Sequence, residues 1–500
     1  MTSIEQEPDT RGMLTIRIAG DVFVCVPRDI NLMTPYILLE QEDWFEDDIR
    51  FSRKLLGKGE SVIDIGANYG VYTLSLAQVV GESGKVWAID PSSATMAHLE
   101  CSIARNQFRN ITLIRAGLSD QVGRAYLPRE TNPELGAVVV EVTEGKACDE
   151  IELLTLDECE QRYGWRDIHF IKMDAEGHES RILRGGARFL SSQSPLILYE
   201  IRAGNEINCT LVDEFAALGY RSYRLAPGLG AGVLLPVENA IESLDPYTLN
   251  LYCCKPDRAD ALRARGLLCG MPAQEMQQDL SGTDRWQTVI DAEPHAQNYR
   301  DIWAQHASER DRQAGWPVYR RALNHYALSR ADELNMDIRA GHLRTAFGLL
   351  ADLVRQDANI ARLMSLVRVA SEWGQRGLAV GVLRELVSIL GRQSLPLATE
   401  PFLVPQPADR EAGGDLPIWQ ARMIAEAFIR LSTHSGYFSG DAGLPLLDAL
   451  QRLGDMNPEM ERRRQLIRMR SGVQSGSESS ALLSRSSAGN SNPEFWSGNW

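Results

Sequence analysis

Between residues 61 and 254 the chain alternates short apolar runs with helical segments, and this rhythm limits the fold more than any other feature. Residues 61–65, 85–89, 111–114, 168–173, 195–201 and 249–254 read as strands. Helices are expected at 71–80 and, less sharply bounded, at about 92–106, 178–190 and 210–218. Strands joined through helices line up mainly parallel, with helices on both faces, so the spacing predicts an α/β Rossmann-like sheet. Between the third and fourth strands, residues 125–127 and 137–142 suggest an inserted hairpin. Ahead of the sheet, Leu14, Ile16, Ile18 and Val22, Val24 alternate around Ala19-Gly20-Asp21 as two short strands, and a helix is expected from about 43 to 56.

Five hundred residues exceed one compact core, so further domains are expected. Residues 257–317 are polar and read as a connector. Beyond them Gly341, Ala346, Gly348, Leu350, Leu353 and Val354 are matched 33 positions later by Gly374, Ala379, Gly381, Leu383, Leu386 and Val387. A second apolar stripe, Leu363, Leu366, Val367 and Ala370, lies between them, so one period holds two antiparallel helices, similar to tetratricopeptide-like (TPR-like) hairpins. A third, degenerate unit is expected from Gly443, and the proline-rich stretch 392–417 is expected to be a loop. The predicted division is 1–58 (N-terminal strands and helix), 59–256 (α/β domain), 257–317 (connector), 318–470 (all-α, repeat-like) and 471–500, a serine-rich tail expected to be disordered.

The net charge of −15, with no basic block, argues against nucleic acid as a partner, because phosphate backbones are held mainly by clustered Lys and Arg. No apolar run approaches the roughly 20 residues that cross a bilayer. Residues 1–10 are acidic and polar, unlike a signal peptide. The eight cysteines form no C-x-x-C pair, which fits a reducing compartment and a cytoplasmic location.

The first strand of the α/β unit runs into Asp64-Ile65-Gly66-Ala67-Asn68-Tyr69-Gly70. Glycines at such a turn let the backbone bend sharply and approach a ligand, at the strand ends where open α/β sheets bind cofactors. The middle glycine of the dinucleotide motif is replaced by Asn68, and Asp64 leads the motif. An acid repels a pyrophosphate and suits a cation. The pattern therefore favours S-adenosyl-L-methionine (SAM) over a nicotinamide cofactor, with Asp64, Gly66, Asn68 and Gly70 as cofactor residues. Asp90, at the end of the next strand, is placed to accept ribose hydroxyls or to cap the following helix. Ser119 and Asp120, in the loop after the third strand, are expected beside the adenine.

The run VIDIGANYGVYTLS (62–75) resembles the opening motif of the FkbM-family methyltransferases. So do GLSDQVG (117–123), LLTLDE (153–158), IKMDAEGHESRILRGG (171–186) and LILYEI (196–201), in order, over residues of about 59–223. The resemblance implies a class I, SAM-binding Rossmann-like fold and O-methylation of sugars or other small molecules.

Transfer of a methyl group to a neutral hydroxyl needs alignment and a base to take the proton. Asp174, Glu176 and His178, at the end of the fourth strand, are the catalytic candidates. Asp174 is preferred, and Glu176 and Glu179 compete as caps of the next helix. Asp174, Glu176 and Glu200 also offer oxygen ligands, although no resident metal is expected. Glu200 is a candidate to bind a substrate hydroxyl or to pair with Arg202. The expected activity is SAM-dependent O-methylation of a sugar, glycan or other hydroxylated small molecule, with a protein partner conceivable at the helical repeats. The alternative is a helical-repeat interaction protein carrying a vestigial methyltransferase domain.

Overall fold

The computed structural model describes residues 12–128, 134, 147–203, 206–237, 244–270, 276, 284–391, 396–407, 414–454 and 456–472. A hairpin of β1 (Met13–Ile18) and β2 (Val22–Pro27) comes first, then helices α1 (Met33–Gln41) and α2 (Asp47–Leu55). The α/β region follows: β3 (Ser61–Ile65), α3 (Val71–Val80), β4 (Lys85–Ile89), α4 (Ser93–Asn106) and β5 (Ile111–Ile114). A small second sheet is made by β6 (Gly117–Leu118), β7 (Gly123–Pro128) and β8 (Cys148–Leu154). The chain returns through α5 (Leu156–Tyr163), β9 (Ile168–Met173), α6 (Glu179–Gly185), α7 (Ala187–Ser192) and β10 (Leu196–Glu200). A short pair, β11 (Arg202–Ala203) and β12 (Glu206–Ile207), precedes α8 (Thr210–Ala217), β13 (Arg221–Ala226), β14 (Val233–Pro236) and β15 (Asn250–Cys254).

The main sheet runs β14-β13-β15-β10-β9-β3-β4-β5. From β3 the chain steps outward to β4 and β5, then returns to lay β9 on the other side of β3, both pairings parallel. The strand order thus reverses between β3 and β9, and at such a point a crevice opens beyond the carboxyl ends of the strands. The closing strand β15 is antiparallel to both of its neighbours. Helices cover both faces, so β3 is apolar on both sides except for Ser61 at its start and Asp64. Val62, Val86 and Phe170 enter one core with α1–α4, while Ile63, Trp87 and Ile171 enter the other with α5–α8.

Several elements depart from expectation for local reasons. Helix α1 is buried from Thr34 to Glu40, so it shows no amphipathic stripe to read. The helix expected at 43–56 starts only at Asp47, with Asp47 and Asp48 in its first turn. The helix expected at 178–190 breaks into α6 and α7. A Cβ on Gly185 would meet the Ser119 carbonyl oxygen at 2.1 Å and one on Gly186 the Leu156 side chain at 2.6 Å, so the loop and α5 press against the break. Residues 125–127 do form a strand, but its partner is β8. Residues 137–142 lie outside the described residues, as does nearly all of the 471–500 tail.

The second half is all-helical: α9 (Pro256–Ala264), α10 (Trp286–Asp291), α11 (Ala296–Gln305), α12 (Ala307–Arg310), α13 (Trp316–Ser329), α14 (Met336–Gln356), α15 (Ile360–Trp373), α16 (Arg376–Leu390), α17 (Leu416–Ser432), α18 (Gly436–Ser439), α19 (Leu444–Arg452) and α20 (Pro458–Arg470). Helices α13 to α17 pack in sequence, as stacked hairpins do. The stretch read as a connector contributes Tyr299 and Trp303 to the helical core. That core continues into the sheet edge through Ala226, Val233 and Leu235, and the other joins α17, α19 and α20 to β1–β2 and α1. A fully buried ion pair clamps α1 to α20: Arg463 Nε donates to Glu40 Oε1 at 2.9 Å, and the Gly436 N–H donates to Glu40 Oε2 at 2.8 Å. Among the described residues no helix is long and apolar enough to cross a membrane.

Candidate active site

The β3 end is shaped by backbone. Gly66 has φ +75°, and a Cβ there would sit 1.7 Å from the Asp174 carbonyl oxygen, so the ends of β3 and β9 touch main chain to main chain. The Gly66 and Ala67 N–H groups both donate to the Ile89 carbonyl, at 2.9 and 3.1 Å. Gly70, at φ +84°, opens α3 where a Cβ would collide with Leu99 at 2.2 Å. Asn68 adopts φ 49°, and its N–H donates to Asp90 Oδ2 at 2.8 Å. The other Asp90 oxygen accepts from the Ser92 N–H at 2.8 Å and the Thr95 hydroxyl at 3.0 Å. Asp90 therefore props the turn and steadies the start of α4 at once. Asn68 Oδ1 and Asp64 Oδ1 are buried acceptors without a partner among the described residues. Asp64 Oδ2 accepts from the Thr73 hydroxyl at 2.5 Å, and burial pushes its carboxyl above the usual range.

The β9 end is shaped by charge. Lys172 is nearly buried between Ile171 and Met173. Its Nζ donates to Asp174 Oδ2 at 2.9 Å and to the Gly66 carbonyl at 3.2 Å, and lies 5.4 Å from the Tyr72 ring centre. Burial opposes the lysine's charge, but the carboxylates of Asp174 and Asp64 outweigh it and hold its pKa above the usual value. Burial likewise pushes the Asp174 carboxyl up, and Lys172 with a hydrogen bond from Glu200 outweighs that, leaving it below the usual range. Glu200 is pushed up to about 10 by burial and then by the Asp174 carboxylate, so it is the proton-bearing partner of the two. Arg202 donates instead to the Thr248 and Pro246 carbonyls. Glu176, at φ 50° on the rim, is pushed up to about 7 by desolvation and then by Asp174. Glu179 is buried and accepts the Ala175 and Gly177 N–H groups at 2.8 and 3.3 Å, which closes the turn into α6.

The cleft between these strand ends encloses about 1160 Å³ with its open mouth. Of the residues expected at the site, Gly66, Asn68, Asp90, Asp174, Glu176 and His178 line it together. Asp64 lies beneath the floor, and Gly70 shapes the turn from behind. Ser119 and Asp120 are also off the wall, which falls on Ala116, Gly117 and Leu118 instead. The two-residue β6 causes the offset: its pairing with β8 carries the Ser119 N–H onto the Leu154 carbonyl at 2.9 Å, and Asp120 turns to Arg184 at 3.6 Å. Three unforeseen lining residues are Lys172, Tyr72 and Glu46. A lysine in the middle of an apolar strand was a visible signal for the first. Glu46 accepts from the Tyr72 hydroxyl at 2.7 Å and is pushed up to about 7 by burial and then by Asp48.

A switch-point cleft with a glycine crook on one side and a carboxylate–lysine cluster on the other defines a Rossmann-like α/β protein, with the cleft where open α/β sheets bind ligands. Residues 64–224 match the model of the methyltransferase FkbM domain. No curated protein matches the chain. It is similar to the solved methyltransferase FkbM from Methylobacillus flagellatus KT, at 20% identity over 41% of this chain and 47% of that one, with a TM-score of 0.28. The match thus spans about half the length of that structure. It is also similar to a SAM-dependent methyltransferase from Aquifex aeolicus (15% identity, 46% and 93% covered, TM-score 0.24). A SAM-dependent O-methyltransferase from Thermotoga maritima is similar at 13% identity, with 42% and 64% covered and a TM-score of 0.23.

Proposed function

We propose that the chain is a SAM-dependent O-methyltransferase acting on a hydroxyl of a sugar or other small molecule. The observation that carries this is the cradle at Gly66–Asn68. A Cβ at Gly66 would collide with the Asp174 carbonyl oxygen, so only glycine lets this crook close against β9, and Asn68 Oδ1, an acceptor with no partner among the described residues, lies on the cleft wall. Such a surface fits the amino-acid and ribose groups of SAM, both rich in donors. When bound, SAM supplies an electrophilic methyl group on a sulfonium.

The chain's own residues do the rest. Asn68 and Asp90 would accept hydrogen bonds from the cofactor, and Gly117 and Leu118 would hold its base. Asp64, beneath the floor, contributes negative charge without touching it. Asp174 is tied to Lys172 and Glu200 and held low, so it orients the acceptor rather than taking its proton. Glu176, raised to about 7, would take the proton of the acceptor hydroxyl at its carboxylate. His178 stands at the entry to α6 on the same wall. Incubating the full chain with SAM and a pool of hydroxylated small molecules should release S-adenosylhomocysteine, with the product gaining one methyl by mass. A protein that binds no SAM in equilibrium dialysis would sink the proposal.

A further inference from the structure

A second cavity, of about 1520 Å³ with its mouth, opens between the sheet and the helical half. Glu46 lines both cavities, so the segment leading into α2 is their common wall.

The chemistry of this cavity centres on Arg376, the first residue of α16. Its guanidinium donates to the Leu431 and Arg430 carbonyls at 2.8 and 3.2 Å, meets His434 Nδ1 at 2.9 Å and lies 4.9 Å from the Tyr247 ring centre. Among the described residues no carboxylate stands within ion-pair distance of it. Asp47 and Asp245 act on it from farther away, and Asp245 already accepts the Tyr247 and Gly377 N–H groups at 2.9 and 2.7 Å. His434 adds no second positive charge, since burial and then Arg376 push its pKa down to about 3. Two other guanidiniums in the wall, Arg330 and Arg368, both bond to Glu372, and Arg224 donates to the Trp373 carbonyl at 2.6 Å. The Ser371 hydroxyl, also in the wall, is buried with no partner among the described residues. A largely desolvated cation without a contact anion is costly, and an incoming oxyanion would repay that cost with charge-assisted, bidentate hydrogen bonds.

We propose that this cavity is the outer subsite for the methyl acceptor, and that Arg376 holds a carboxylate or phosphate group of a saccharide there while the hydroxyl to be methylated reaches past Glu46 into the first cleft. The inference rests on the methyltransferase reading above and adds the acceptor's class to it. It also gives the helical half a role, since Ser371, Arg376 and His434 all belong to that half.

The test uses the full chain and calorimetric titration with glucuronate, glucose 6-phosphate and glucose, with SAM titrated separately. At least one charged sugar should bind about tenfold more tightly than glucose, and the tighter of the two identifies the oxyanion. Arg376→Met should erase that preference while the SAM dissociation constant stays within about twofold. Arg376 also ties α16 to the end of α17, so the variant is scored only if its melting curve remains cooperative, while the wild-type preference is a test that needs no variant. Equal or absent binding of charged and neutral sugars by wild type overturns the inference, as does an intact preference in folded Arg376→Met. Wild type that shows the preference but binds no SAM overturns the methyltransferase reading and leaves the anion site standing.

Discussion

The two strand ends that face each other across the first cleft are built on opposite physics. At β3 the shape comes from main chain: positive φ at Gly66 and Gly70, and a carbonyl where a side chain would otherwise stand. At β9 it comes from charge: Lys172 between Asp64 and Asp174, with Glu200 holding a proton against Asp174. Steric contacts fail abruptly, whereas electrostatic ones are graded and follow pH. Substitutions on the β3 side should therefore be all-or-none, and those on the β9 side should have pH-dependent consequences.

The largest effect should come from Gly66→Ala. The added Cβ meets a backbone oxygen that cannot rotate aside, and the positive φ adds strain. A loss of roughly 4 kcal/mol of stability is expected, together with loss of the SAM-induced thermal shift. Urea titration and a thermal-shift series measure both, and a variant that melts and binds like wild type breaks the steric half of the comparison. Lys172→Met should come next. Lys172 is nearly buried but the Asp174 side chain is 38% exposed, so solvent screens part of the loss and a cost of about 1–3 kcal/mol at neutral pH is expected. The lysine's folded pKa is raised, so its charge stabilises fully below the ordinary lysine value and loses that effect only as pH rises through the folded value. Asp174, held low, stabilises above the ordinary aspartate value and loses this as pH falls through its folded value. The deficit of Lys172→Met should therefore be widest near neutrality and shrink on acidification, as the stranded carboxylates take up protons. A deficit independent of pH would place the effect in packing alone.

What the sequence made legible follows the same division. The crook at residues 64–70 is local, and glycine spacing reports backbone geometry directly, so the turn was readable. The alternation at 61–254 was readable too, because two-sided burial dictates apolar strands. The acids at 174–179 were visible as a cluster, but their roles depend on residues far along the chain. Lys172 and Glu200 hold the Asp174 carboxyl below the usual range, and Glu179 is consumed by two N–H groups. Glu46 reaches the site only because α2 packs on α3. The wall opposite Asn68 falls on Ala116–Leu118 because β6 pairs with β8, a long-range event that no local pattern announces.

A third prediction sharpens the electrostatic side. A base must be ionised to accept the hydroxyl proton, so the rate should climb with pH through about 7, the value to which Glu176 is raised. Glu176→Gln should lower kcat by about a hundredfold or more and flatten that limb, with SAM affinity kept. A variant that keeps the limb would move the proton to another group, and Glu46, also raised to about 7, is the next to test.

The smallest effect belongs to a residue that the local pattern put at the site and the fold removes from it. Asp120 faces Arg184 at 3.6 Å across a partly exposed gap, and such pairs are worth well under about 1 kcal/mol. Asp120→Ala should leave the SAM dissociation constant within about twofold and stability within about 0.5 kcal/mol. Gly117→Val, two residues into the actual wall, should weaken SAM binding far more, because its added methyl groups would stand where the base of the cofactor is proposed to lie. If the order of the two were reversed, the cofactor would reach around β6 to Asp120, and the wall would have to be redrawn from Leu118 outward.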